Sequence, residues 1–238
     1  MPGGTIKVDV SIKQWWKTGQ HALISIPSIS FGQSHPYTIA AQSAEPMRFF
    51  VRDIGPGGFS SKLNQSTSSK AYTVLIQGPY GAIPRLDRYD EIIFVAGGAG
   101  ATWTVPLMKE FIARSKCDEK GIVKGTFIWS VRSEDCLSWF SNELIEAVYA
   151  GVDIRLFNTR QSKNGTGKTG HTPKSRFTVY QGRPNIRLLL TDVLSKVKST
   201  SVAVVVCGPS KMVNDSRFAV SESLLETAIP IGLFIEEF

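Results

Sequence analysis

Cysteine is scarce in this chain and long apolar runs are missing; each absence narrows what the protein can be. The three cysteines, Cys117, Cys136 and Cys207, lie far apart with no CxxC spacing. That excludes a disulfide scaffold and a cysteine zinc site, so no metal is expected and a reducing compartment is. The longest apolar stretches, such as SVAVVVC at 201–207, fall well short of the ~20 residues that span a bilayer, and the chain by itself is expected to be soluble. The opening MPGGTIKVDV has no basic segment followed by a long apolar core, so no secretory signal is expected. There are no internal repeats, and nothing in the composition marks disorder, collagen or a coiled coil.

The 238 residues are enough for two domains, each with its own core. The formal net charge of +7 is unevenly placed: residues 158–217 hold eleven Lys and Arg against Asp192 and Asp215 alone. A basic face attracts a phosphorylated cofactor, an anionic membrane surface or nucleic acid; a solvated face without a partner is equally compatible with it. No recognition-helix pattern or aromatic-and-basic repeat is present, so nucleic acid is not expected.

Two rhythms divide the chain. As far as about residue 80, short segments of near-alternating β-branched residues (TIKVDVSI, ALISIPSI, YTIA, RFFVRDI, YTVLIQ) stand between turn clusters, as in a small antiparallel barrel. From about residue 90 strands alternate with helices, from EIIFVAGG and TVPLMKEFIARSK through to SVAVVVCGP and SKMVNDSRFAVSESLL, which argues for a parallel α/β sheet. The fold class expected is an antiparallel β-barrel over 1–87 followed by a Rossmann-like domain over 88–238, with the boundary in YGAIPRLDRYD. The polar stretch 158–177 reads as a surface loop; its NGTGKTG lacks the first glycine of a phosphate-binding P-loop, because Ser162 stands there.

Chemistry is concentrated at a few places. In VAGGAGATWTVP the pattern is GxGxxxP, with Trp103 where a dinucleotide fingerprint has its third glycine. A strand precedes and a helix follows, so Gly97, Gly98, Gly100, Ala101 and Thr102 are expected to offer amides to a phosphate, with Thr102 capping the helix. Glycines at such turns serve plain tight packing as well. One β-α unit later Arg132 ends a strand, where an arginine accommodates a 2′-phosphate and an acid would bind a ribose hydroxyl. That favours NADPH, although Glu134 and Asp135 follow closely and keep the choice open. Cys207, Gly208 and Pro209 close an apolar strand at the sheet edge where ligands bind; Cys207 has no neighbouring base and is not read as a nucleophile. In GQSHPYTIA an extended backbone sends Tyr37 and Thr38 in different directions, so that a ring can stack on a planar heterocycle while a hydroxyl reaches its edge. DIGPGGFSSKL adds Gly58, Ser60 and Ser61 at a helix start suited to a pyrophosphate.

The order HPYT, GFSS, GPYG, GGAGAT, WSVR, GRPN, CGP and terminal FIEEF resembles the flavin-dehydrogenase region of the ferric reductase and NADPH oxidase superfamily, with its ferredoxin-reductase-like fold, over nearly the whole chain. The resemblance implies FAD and NADPH as cofactors, and hydride transfer from nicotinamide to flavin followed by single-electron steps to haem and an outer acceptor. It implies that His35 and Arg52 face FAD phosphate or ribityl oxygens, that Tyr37, next to Pro36, stacks beneath the isoalloxazine, that Thr38 bonds near flavin N5, and that Ser60 and neighbouring amides hold the pyrophosphate. Gly97 to Thr102, with Pro106 behind, match the NADPH pyrophosphate loop, and Arg132 the 2′-phosphate reader. Cys207 to Pro209 would lie by the nicotinamide, and Phe238 over the flavin, so that Thr38, Cys207 and Phe238 would be the residues at the reacting atoms. Tyr37 departs from the family's usual phenylalanine. Family members also carry a haem-bearing membrane domain and one more barrel strand upstream. The chain is therefore expected to be a fragment with an incomplete barrel, whose parent works at the cytosolic face of a membrane. Three functions follow as expectations: the electron-input module of a ferric-chelate reductase, that of a superoxide-forming NADPH oxidase, or a nucleotide-binding fragment without stable flavin.

Overall fold

The computed structural model describes residues 1, 3–42, 45–66, 71–117, 124–160 and 177–237. The chain forms two compact units, Met1–Ile83 and Pro84–Phe238.

In the first unit, β1 (Thr5–Val10) pairs antiparallel with β4 (Met47–Arg52), and β3 (His35–Thr38), β2 (His21–Ser25) and β5 (Leu75–Tyr80) form a second antiparallel sheet in the order β3-β2-β5. Alternation builds the core. Met47, Phe49 and Val51 of β4 point inward with Ala22 and Ile24 of β2, while Arg48 between them reaches out to Asp9 at 2.8 Å. The short helix α1 (Phe59–Gln65) adds Phe59 and Leu63, four residues apart and therefore on one face. Trp16 is buried in this core, and its one polar atom, Nε1, donates to the Ala41 carbonyl at 3.0 Å. The fifth strand begins later than YTVLIQ suggests and runs through Gly78 and Pro79, because pairing with β2, not local propensity, sets its limits.

The second unit is a parallel sheet of β6 (Glu91–Gly97), β7 (Lys124–Val131), β8 (Asp153–Asn158), β9 (Thr178–Gln181), β10 (Val202–Gly208) and β11 (Ile231–Glu237), in the order β11-β10-β6-β7-β8-β9. Its helices are α2 (Ala101–Cys117), α3 (Ser141–Ala150), α4 (Ile186–Ser195) and α5 (Ser210–Glu226). Buried on both faces, β10 reads as an unbroken apolar run. On one face Ile93, Val95, Val204 and Val206 pack with Leu190 and Val193 of α4 and Val213, Ala219 and Val220 of α5. On the other, Phe94, Phe127, Trp129 and Phe140 form a chain of ring contacts. From β6 the chain steps outward through β7, β8 and β9, then returns to lay β10 on the opposite side of β6. The gap between the C-terminal ends of β6 and β10 is thus the topological switch point, where open α/β sheets bind ligands.

The fold class is the one the sequence implied, an antiparallel β unit followed by a Rossmann-like parallel sheet. One strand escaped the sequence reading: β9, whose Tyr180 stacks on Phe157 of β8 with centroids 4.8 Å apart. The NGTGKTG segment lies outside the described residues. Among the described residues no helix is long and apolar enough to cross a membrane.

Candidate functional site

The switch point is built by glycines with two different tasks. After β6 a 3-10 turn, Gly98–Gly100, leads directly into α2. A Cβ on Gly100 would lie 2.0 Å from the Cys207 carbonyl oxygen, and one on Gly97 would lie 2.7 Å from Pro209 Cδ. Gly208 approaches as closely from the other strand, since its Cβ would meet the Gly97 Cα at 3.2 Å. These three let the tips of β6 and β10 touch. Gly98 differs: its φ is +54°, and a Cβ there would meet nothing within 4 Å. It is the part of the loop that faces open space, at the positive end of a 17-residue helix. Its backbone is held from below, since Trp129 Nε1 of β7 donates to the Gly98 carbonyl at 2.9 Å, and the Ala101 amide donates to the same oxygen.

Thr102 does not cap α2. The helix already runs from Ala101, and Thr102 sits buried in its first turn, because the 3-10 turn has taken over the task of starting the helix. Pro106 lies inside α2, where its missing N–H leaves the Thr102 carbonyl without the usual i→i−4 donor. Trp103 is buried too.

At the next strand end Arg132 is exposed and has no ion-pair partner among the described residues. The carboxylates that follow it are engaged. Glu134 accepts from Gln181 Nε2 at 3.1 Å and from Asn158 Nδ2 at 3.4 Å; Asp135 accepts from the Ser133 hydroxyl at 2.8 Å, while its own amide donates to that oxygen. Arg160 and Arg183, exposed just beyond β8 and β9, extend the positive edge. Cys207 is buried, with Glu236 as its register partner on β11; burial first and that carboxylate second push its thiol well above the ordinary range, so it stays protonated. Phe238 lies outside the described residues.

In the first unit, β3 carries the HPYT residues in register with β2: Tyr37 is opposite Ala22 and Thr38 opposite His21. Pro36 is exposed, and His35, Tyr37 and Thr38 are half-buried. Burial pushes the Tyr37 phenol up to about 12. The His35 ring stacks on Phe59, centroids 4.7 Å apart, whereas Tyr37 meets Phe59 only obliquely at 6.5 Å. Arg52 is exposed at the end of β4. Gly58 precedes α1 with open space where its Cβ would be. Ser60 and Ser61 are buried; the Ser60 hydroxyl accepts from the Ile54 amide at 3.3 Å, and that of Ser61 from Gln65 Nε2 at 3.3 Å. The sequence reading missed Asp53, which accepts from the Gly55 amide at 3.0 Å and from Asn64 Nδ2 at 3.2 Å and so ties the glycine loop to α1. An Asp followed two residues later by Gly was the available signal.

Comparison with known proteins identifies both halves. A family model for the FAD-binding domain matches residues 1–84, and one for the ferric reductase NAD binding domain matches residues 89–221. Ferric reductase transmembrane component 5 of Saccharomyces cerevisiae is 28% identical over 98% of this chain and 36% of its own length. Respiratory burst oxidase homolog protein B of Solanum tuberosum is 25% identical over 100% of this chain and 34% of its own length. The chain thus spans about a third of these relatives. Among solved structures, a ferredoxin NADP+ reductase from Neisseria gonorrhoeae with bound FAD and NADP superposes with a TM-score of 0.68 at 16% identity, over 98% of this chain and 91% of that one. The cytochrome b5 reductase domain of Ulva prolifera nitrate reductase gives 0.62 at 17%, over 97% and 90%. At these identities the two structures speak for the fold alone, and on the match of the two family models the chain belongs to the ferric reductase family of paired FAD-binding and NAD-binding domains.

Proposed function

We propose that the chain is the electron-input module of a ferric-chelate reductase, taking hydride from NADPH onto FAD and passing electrons singly to a membrane haem and then to a ferric acceptor. The observation that carries the reading is the switch point itself: an open, left-handed Gly98 at the start of α2, one strand from an exposed arginine whose neighbouring acids are already engaged. Such a site fits a pyrophosphate with a 2′-phosphate beyond it. Ferric reductase names among the relatives support the acceptor.

Bound flavin supplies the chemistry, accepting two electrons together and releasing them one at a time. The chain's own residues position and exclude. In this reading Tyr37 stacks against the isoalloxazine, Thr38 donates or accepts at its edge, and His35, Arg52 and the backbone around Gly58 and Ser60 face the phosphates and ribityl chain. Ser60 and Ser61 accept from the Ile54 amide and from Gln65 and keep their own O–H donors, so they, the loop amides and Arg52 would share the anion's charge. On the second unit, the open Gly98–Ala99 part of the loop would hold the coenzyme pyrophosphate, since the buried Ala101 amide already donates within the turn, with Arg132 at the 2′-phosphate and the Cys207–Pro209 strand tip bordering the nicotinamide. Catalysis of this kind rests on orientation more than on acid–base groups.

A second reading, the input module of a superoxide-forming NADPH oxidase, uses the same residues and is supported by the respiratory burst oxidase relative that aligns over the whole chain. The test shared by both is reconstitution. Purified chain is mixed with FAD, flavin absorbance is followed through gel filtration, and NADPH is then added without air to see whether the flavin bleaches. Bleaching supports the electron-input reading; a chain that holds no flavin under any loading condition is a nucleotide-binding fragment, and the reading fails.

A further inference from the structure

Trp129 sits in the middle of β7, fully buried, with ring contacts to Phe127, Trp139 and Phe140. A tryptophan in such a core needs one hydrogen-bond acceptor, and any nearby carbonyl would do. The acceptor it has is the carbonyl of Gly98, 31 residues upstream, the one loop residue with open space beside it. That carbonyl receives the Trp129 indole and a share of the Ala101 amide, which divides its donation between the Ala99 and Gly98 oxygens, so the indole is the donor that fixes its direction. In a planar trans peptide the N–H points opposite to the C=O. With the Gly98 oxygen held toward the buried indole, the Ala99 N–H is aimed away from the protein interior. The first N–H groups of a helix have no partner within it, so this one is available to an anion. Gly98 at φ +54° accepts the backbone conformation this requires.

We propose that Trp129 is a positioning residue for coenzyme binding: its indole N–H locks the Gly98–Ala99 peptide so that the Ala99 amide is presented, before any ligand arrives, to the pyrophosphate common to NADPH and NADH. The inference rests on the coenzyme reading above and deepens it. It differs from the part given to Arg132, because a pyrophosphate contact cannot distinguish the two coenzymes.

The experiment titrates the full chain with NADP+, NAD+ and 2′-AMP, which carries the 2′-phosphate but no pyrophosphate. Wild type is compared with Trp129→Phe, which keeps a ring in the core and removes the donor. Loss of one neutral hydrogen bond should raise the dissociation constants of NADP+ and NAD+ together by about three- to tenfold, leaving their ratio and the 2′-AMP affinity unchanged. Because the smaller ring also leaves space, a second variant places 3-benzothienylalanine at position 129, where sulfur replaces the N–H in a ring system of the same size and shape; it should show the same pattern with a melting temperature above that of Trp129→Phe, because no cavity is added to the lost hydrogen bond. Dinucleotide affinities equal to wild type in that variant, or a parallel loss of 2′-AMP, would overturn the proposal while leaving the coenzyme site standing. Wild-type chain that binds none of the three ligands would overturn the coenzyme reading and this inference with it.

Discussion

Replacing Arg132 by alanine is the sharpest probe of coenzyme choice, and its size can be worked out from the surroundings. A hydrogen bond between guanidinium and phosphate contributes about 1.5–3 kcal/mol. Arg132 is exposed, so water and salt screen the pair and the lower end applies, roughly 1.5 kcal/mol or about tenfold in affinity. Truncation leaves no buried charge behind, so no further penalty is added. NAD+ has no 2′-phosphate and should lose almost nothing. The neighbouring acids are oriented by other partners, Glu134 through one oxygen by Asn158 and Gln181 and Asp135 by Ser133. The assay is equilibrium titration of NADP+ and NAD+ against wild type, Arg132→Ala and Arg132→Lys at low and high ionic strength. Lysine should recover part of the preference, since it restores the charge without the planar fork, and added salt should shrink the wild-type preference toward that of the alanine variant. Equal losses for both coenzymes, or a preference that ignores salt, would refute the assignment of Arg132 to the 2′-phosphate.

Two further outcomes follow from the geometry. Gly100→Ala should destabilise the second unit by about 3 kcal/mol, because its Cβ would lie 2.0 Å from the Cys207 carbonyl oxygen, whereas Gly98→Ala meets open space and should cost only the left-handed backbone, roughly 1–2 kcal/mol; urea melts of the two variants would show the order reversed if the glycines had been assigned wrongly. Burial holds the Tyr37 phenol near 12 against an ordinary 10.0, so the folded chain keeps a proton that the unfolded chain gives up, and stability should fall as pH rises from 10.0 toward 12; after discounting for partial exposure this is about 1 kcal/mol, and it should vanish in Tyr37→Phe, so that equal alkaline slopes for both proteins would dismiss it.

What could be seen in the sequence was what local pattern determines. A strand buried on both faces, such as β10, must be apolar throughout, and SVAVVVC shows this without any knowledge of its neighbours. The glycine loop between β6 and α2 and the arginine after β7 are likewise marked by residue type at a strand end. β9 was missed because an edge strand of four residues, TVYQ, shows no clear periodicity and is fixed by its pairing with β8. Thr102 was misplaced because a 3-10 turn before a helix leaves no trace in composition. The engagement of Glu134 could not be read at all: its partners lie 24 and 47 residues away, joined only because the ends of β7, β8 and β9 are neighbours in the sheet.

The departure from the dinucleotide fingerprint at Trp103 has a physical resolution of the same kind. The third glycine of that fingerprint exists so that helix and strand can approach closely. Here close approach is supplied elsewhere: Gly208, at the tip of β10, would place a Cβ 3.2 Å from the Gly97 Cα, and Gly100 already abuts the Cys207 carbonyl. The crossing that other folds make between one strand and its own helix is made in this protein between two adjacent strand tips. Position 103 is thereby released to carry a large buried side chain. GGAGAT and CGP, more than a hundred residues apart and separately weak as motifs, are the two halves of one contact. Their joint presence carries more weight than either spacing, because a bulky residue at Gly97, Gly100 or Gly208 would drive the tips of β6 and β10 apart at the point where the topology opens its binding crevice.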